Sequence, residues 1–228
     1  MKFKLLYLRT WLIIKRKQML NFFPAKGKCF TKFVIVCAPR SGSTWLHTLL
    51  NSHAQIFSYG EILRETCEVN PQKQLPSLEE LIFHPHHASI QAAGLKVFYE
   101  YETIESFKKS FQEIVADPSI CIIHLIRKDK TAQFKSLKQA EATQQWSSGK
   151  PADKQKPIII EPGEFEIYQN DLIQKEKEID LMFLQHPCLK ITYEDLFDQH
   201  EKLCSSIQEF LKVKPRKLFS LLQKQSGN

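Results

Sequence analysis

An apolar run, Val34-Ile35-Val36-Cys37-Ala38, breaks at Pro39 and passes through Arg40-Ser41-Gly42-Ser43-Thr44 into Trp45, after which Leu46, Leu49 and Leu50 recur at helical spacing. A short apolar run closed by Pro and Gly suits a buried strand, and the restart with helical period suits a helix. Where such a strand turns into a helix, the first backbone N–H groups have no intrahelical partner, and with the helix dipole they favour an anion. The hydroxyls of Ser41, Ser43 and Thr44 add donors. The pattern fits an α/β domain whose first strand-end loop holds a nucleotide phosphate or phosphosulfate.

A loop that splits ATP or GTP reads GxxxxGK followed by Ser or Thr, where Lys reaches the terminal phosphates and the hydroxyl holds magnesium. Here no Lys precedes Ser43 or Thr44, and the cation stands earlier, at Arg40. A second apolar run, Cys121 to Ile126, ends at Arg127, and Ser136 follows nine residues later on the next helical segment. A guanidinium offers a planar fork of donors that suits a phosphate, and the serine adds a hydroxyl. Alone, Arg127 reads as a solvated cation; paired with the first loop it reads as a phosphate ligand.

These segments resemble the sulfotransferases that use 3'-phosphoadenosine 5'-phosphosulfate (PAPS). In that family the 5'-phosphosulfate loop has the form Pro-Arg-Ser-Gly-Ser/Thr-Thr, here Pro39 to Thr44, and a strand-end Arg with a Ser eight or nine residues on binds the 3'-phosphate. The run from Arg127 to Leu137 looks most like the bacterial trehalose sulfotransferase branch. Ile191-Thr192-Tyr193-Glu194-Asp195-Leu196 matches a phrase common in such enzymes, so the resemblance covers about residues 33–213. It implies a P-loop-like three-layer sandwich, with a central parallel sheet flanked by helices, and PAPS as co-substrate with no metal. The implied reaction is in-line transfer of a sulfuryl group to an acceptor hydroxyl.

Roles follow from the resemblance residue by residue. Arg40 and the loop N–H groups would stabilise charge on the bridging oxygen, Ser41, Gly42, Ser43 and Thr44 would hold the 5'-phosphate, and Arg127 with Ser136 the 3'-phosphate. Trp45 reads as an adenine platform or a core aromatic, and Lys96 as a weaker candidate for contact with the sulfuryl group. Glu61, in Ser58-Tyr59-Gly60-Glu61-Ile62-Leu63, matches the general base of the trehalose branch and of protein-tyrosine sulfotransferases. By itself it also reads as a helix N-terminal acid, and His53 or His124 would be the next base to consider. Sugar, glycolipid, peptide tyrosine and small alcohol stay open as acceptors, with carbohydrate favoured by the branch. The Gly-rich C-terminal segment of cytosolic sulfotransferases has no match beyond a loose substitute at Arg216-Lys217, and the polar end at Gly227-Asn228 reads as a truncated form.

Charge is unevenly placed. The net value is +7, yet residues 1–60 hold ten Lys or Arg and no acid, while the rest holds 22 bases against 25 acids. A basic N-terminal portion attracts PAPS, an anionic membrane surface or another polyanion, and nucleic acid is not expected as a partner. In residues 1–23 charges interrupt the apolar runs well short of the roughly twenty residues a spanning helix needs, and Arg9 argues against a signal peptide. Residues 1–30 are therefore expected to form a basic amphipathic segment, on a membrane or packed on the domain, and 31–228 the transferase domain. Two other classes remain: a phosphotransferase with a degenerate P-loop, which would need a magnesium-holding Asp where Arg127 stands, and a non-catalytic module binding an anionic polymer or membrane. Six cysteines without a CxxC pair read as reduced thiols of a cytoplasmic protein, and His84-Pro85-His86-His87 reads as a loop of solvated imidazoles.

With 228 residues and 43% hydrophobic content, one α/β domain with a full core is expected. The pattern predicts strands 33–37, 94–98, 120–126 and 188–192, and helices 43–52, 103–115, 130–146, 164–185 and 199–212. A polar stretch over 65–90 and a flexible loop over 147–163, near the acceptor side, complete the reading.

Overall fold

Every residue from Phe33 to Cys37 is fully buried in β1 (Thr31–Cys37). Successive strand side chains point to opposite faces, so such a run requires cover on both. A computed structural model, describing residues 12–20, 22–24, 29–69, 74–144, 146, 158 and 160–220, shows that cover. Strands β1, β2 (Ile56–Ser58), β3 (Ala92–Phe98), β4 (Cys121–Ile126) and β5 (Cys188–Thr192) form one parallel sheet in the order β2-β3-β1-β4-β5. The helices are α1 (described over 12–20), α2 (Ser43–Asn51), α3 (Ile62–Val69), α4 (Leu78–Leu81), α5 (Glu105–Ala116), α6 (Lys130–Thr143), α7 (Glu164–Met182), α8 (Tyr193–Asp198) and α9 (His200–Phe210).

One face of the sheet packs Val34, Val36, Leu95, Val97 and Ile122 with Phe111 and Ile114 of α5 and Ile179 of α7. The other packs Phe33, Ile35, Ile123 and Leu125 with Leu46, Leu49 and Leu50 of α2, Leu196 of α8 and Ile207 of α9. This is the expected three-layer, P-loop-like sandwich.

The long elements lie within a few residues of their predicted bounds, and the differences have local causes. Edge strand β2, three residues long, is too short to show a period. The stretch read as polar loop holds α3 and α4; the latter is closed by a capping box in which Ser77 Oγ accepts from Glu80 N–H and the Glu80 carboxylate from Ser77 N–H. Helix α6 stops at Thr143 because Gln144 turns left-handed, at φ 55°. Most of the predicted 147–163 loop and residues 1–11 lie outside the described residues.

The histidine loop needs correction, because His86 is buried rather than solvated. Its Nε2 meets the Ile82 carbonyl at 2.9 Å and its ring packs edge-on to Phe30. Burial lowers its pKa to about 4, with the Ile82 bond opposing and His84 adding. His47 is also lowered to about 4, by burial and then by Lys96 and Lys17. An unfolded histidine takes up its proton near pH 6.5, so each site's contribution is fully present above that value and is lost as pH falls to about 4. Urea titrations between pH 7 and 4 should show a loss of order 3 kcal/mol per histidine; a flat profile would mean that neither is held neutral.

The described cysteines are all free thiols, with Cys37, Cys121 and Cys204 buried. No described helix is long and apolar enough to cross a membrane.

Candidate active site

From β1 the chain proceeds to β2 and β3 on one side of the sheet, and from β4 to β5 on the other. The loops leaving β1 and β4 therefore diverge and open a crevice at their C-terminal ends, where α/β sheets bind ligands. In the β1 loop Arg40 and Gly42 take left-handed conformations, φ 61° and 87°. Gly42 has a second reason to be glycine: a Cβ there would lie 2.3 Å from Cδ2 of Tyr193. Helix α2 then starts with no side-chain cap and no acid in its first turn, leaving its free N–H groups to an anion.

The β4 loop meets this one. Arg127 Nη1 donates to the Arg40 carbonyl at 3.3 Å, Arg40 Nε to Ser136 Oγ at 2.9 Å, and Arg40 Nη1 to the Trp146 carbonyl at 2.7 Å. Burial, and then the neighbouring Arg127 charge, lower the Arg40 pKa. Among the described residues neither guanidinium has a carboxylate within ion-pair distance. Ser41 Oγ and Arg127 Nε are buried without a hydrogen-bond partner among the described residues. Each orphan costs about 1–3 kcal/mol, so two juxtaposed cations and two unpaired donors make a site that a polyanion would complete.

Tyr193 is the residue that the sequence reading missed here. Its ring lies against Gly42 and under the Arg127 guanidinium, 4.8 Å from the centroid. The Glu194 carboxylate accepts from the N–H groups of Lys128 and Asp129, and Gln133 Nε2 donates to the Pro39 carbonyl at 2.8 Å, tying the two loops together. Trp45 stacks on His200, with centroids 5.7 Å apart, and meets Tyr193 edge-on.

Glu61 and Lys96 form the second half of the site. Lys96, in the middle of β3 and only 3% exposed, donates to Glu61 Oε1 at 2.6 Å and reaches Thr44 Oγ1 at 3.4 Å. Arg64 Nη1 stands 3.7 Å from Glu61 Oε2. Although Glu61 directly precedes α3, its carboxylate is taken by these cations. The signal for Lys96 was legible: a single lysine in an apolar strand must find a counter-charge, and no acid precedes Glu61. The two reserve bases are placed differently. His53 lies at the far end of α2, its Nε2 on the Lys214 carbonyl, and His124 is held between Tyr99 Oη at 2.7 Å and Asp180 Oδ1 at 2.8 Å. No group of three His, Cys, Asp or Glu suited to a metal occurs among the described residues.

The fold is that of a P-loop-like α/β protein, with a crevice lined by two guanidinium groups at the β1–β4 boundary. Residues 30–226 match the sulfotransferase domain model, and the chain belongs to that family of sulfuryl-transferring enzymes. It is 27% identical over 192 residues to nodulation protein H of Rhizobium tropici, covering 78% of this chain and 74% of that protein. Nodulation protein H of Rhizobium meliloti (strain 1021) is 32% identical over 125 residues, half of this chain and about half, 49%, of the relative. Among solved structures, a sulfotransferase domain from the curacin biosynthetic pathway shares the fold with a TM-score of 0.52 at 15% identity, over 88% of this chain and 80% of that one.

Proposed function

We propose that this protein transfers a sulfuryl group from PAPS to an acceptor hydroxyl, on a carbohydrate or glycolipid, with Glu61 as general base. The observation that carries the reading is the convergence of Arg40, Arg127 and Ser136 beside a loop whose Ser41 hydroxyl is buried, with neither a neutralising carboxylate nor a partner for that hydroxyl among the described residues. Ser41, Ser43, Thr44 and the N–H groups after Gly42 would take the 5'-phosphosulfate, and Arg127 with Ser136 the 3'-phosphate. PAPS supplies the sulfuryl group and a bisphosphate leaving group. The acceptor oxygen bonds to sulfur as its proton passes to a Glu61 oxygen, and the bond from sulfur to the bridging oxygen breaks. Arg40 and Lys96 would face the charge that grows during this displacement.

The carbohydrate acceptor rests on the likeness of Arg127 to Leu137 to the trehalose branch. A phosphotransferase has less support, since Arg127 occupies the strand-end position where magnesium chemistry would need an acid. Calorimetry without metal should show adenosine 3',5'-bisphosphate binding at least about tenfold more tightly than AMP, and labelled PAPS should pass its label to a member of a sugar panel. Equal affinity for the two nucleotides would remove the 3'-phosphate site and with it the reading.

A further inference from the structure

Helix α1 has two faces with different occupants. Lys17 points into the domain, 2% exposed, and donates to the carbonyls of Asn51 at 2.9 Å and Ile56 at 2.6 Å and to Asn51 Oδ1 at 3.1 Å. On the opposite side Leu12 and Met19 are more than half exposed, Lys15 and Arg16 lie exposed between them, and Phe22 and Phe23 follow at 81% and 70% exposed. Positions 12, 15, 16 and 19 recur at helical spacing on one face of α1, and the exposed Phe22 and Phe23 follow in the turn that ends the helix. Four large apolar side chains exposed to water within twelve residues, accompanied by cations and with no acid before Glu61, mark an interaction surface.

We propose that this surface seats the protein on an anionic bilayer. Leu12, Met19, Phe22 and Phe23 enter the boundary between headgroups and acyl chains, while Lys15 and Arg16 meet anionic headgroups. Charge selects this occupant over a second copy of the chain, because two such surfaces face to face would bring Lys15 and Arg16 against their own kind. Lys17 fixes the orientation. Its acceptors lie at the end of α2 and the start of β2, at the opposite end of the sheet from Arg40 and Arg127, so the crevice stays open to water when the surface is seated.

The test is co-sedimentation of the full chain with phosphatidylcholine vesicles, with and without phosphatidylserine. The parent should bind the anionic vesicles selectively. Lys15→Gln with Arg16→Gln should lower partitioning about 30-fold, and Phe22→Ser with Phe23→Ser at least about tenfold. Both variants should keep the parent's melting temperature and its affinity for adenosine 3',5'-bisphosphate, and the two independent pairs keep the test informative if one folds poorly. Equal binding to both vesicle types, no binding to either, or partitioning that neither pair lowers overturns the proposal. So does a dimer in solution that the Phe22 and Phe23 substitutions dissociate.

Discussion

Glu61→Gln is expected to lower turnover by about 10² or more, with nucleotide affinity little changed, because glutamine keeps the shape of the side chain and cannot take the acceptor's proton. The structure adds a second consequence. Lys96 is buried and Glu61 is the carboxylate on its ammonium, so the substitution leaves a buried charge without compensation. Stability should fall by about 3 kcal/mol. A lower melting temperature therefore does not separate base from scaffold, and the rate must be read well below it with nucleotide bound. Under those conditions the loss of turnover should persist while nucleotide affinity holds, which a purely structural role would not produce. Transfer at the parent rate would end the assignment. Neither histidine then offers a ready replacement, since His53 sits at the wrong end of α2 and His124 is held on both ring nitrogens.

How much of this was legible in the chain depended on how local its cause was. Strands buried on both faces read as unbroken apolar runs, so β1 and β4 and the arginines that end them were visible at once. Loop chemistry was visible for the same reason: Pro39, Gly42 and the hydroxyls are neighbours in sequence. What depended on distant packing was not. Tyr193 in its own segment says only that a strand gives way to a helix, and its importance appears when it fills the space of the missing Gly42 side chain and carries Arg127. His86 looked solvated because its neighbours His84, Pro85 and His87 suit a loop, yet Phe30, Phe57 and Tyr59 close over it from other elements. Lys17 is the clearest case. Among Lys15, Arg16 and Lys17 nothing local singles out the one whose ammonium is taken up by the end of α2.

Arg127→Ala should cost adenosine 3',5'-bisphosphate about 1.5 to 3 kcal/mol of binding free energy, roughly 10- to 150-fold in affinity, the worth of a charge-assisted contact with the 3'-phosphate. AMP, which lacks that phosphate, should bind the variant almost as well as the parent, so discrimination between the two nucleotides should collapse. The free protein should behave in the opposite sense. Among the described residues Arg127 has no carboxylate partner and its Nε is buried and unsatisfied, and its charge adds to burial in depressing the pKa of Arg40. Removing it relieves a repulsion and an orphan donor, while the lost stacking on Tyr193 costs about 0.5–1 kcal/mol and the lost 3.3 Å bond to the Arg40 carbonyl about as much. The melting temperature without nucleotide should therefore hold or rise slightly, whereas a guanidinium kept for structure would lower it when lost. Calorimetry with both nucleotides and thermal unfolding of the free protein read these effects separately. Equal losses for AMP and the bisphosphate would place Arg127 at the 5' end of the ligand, and a loss below about twofold for both would remove it from the site.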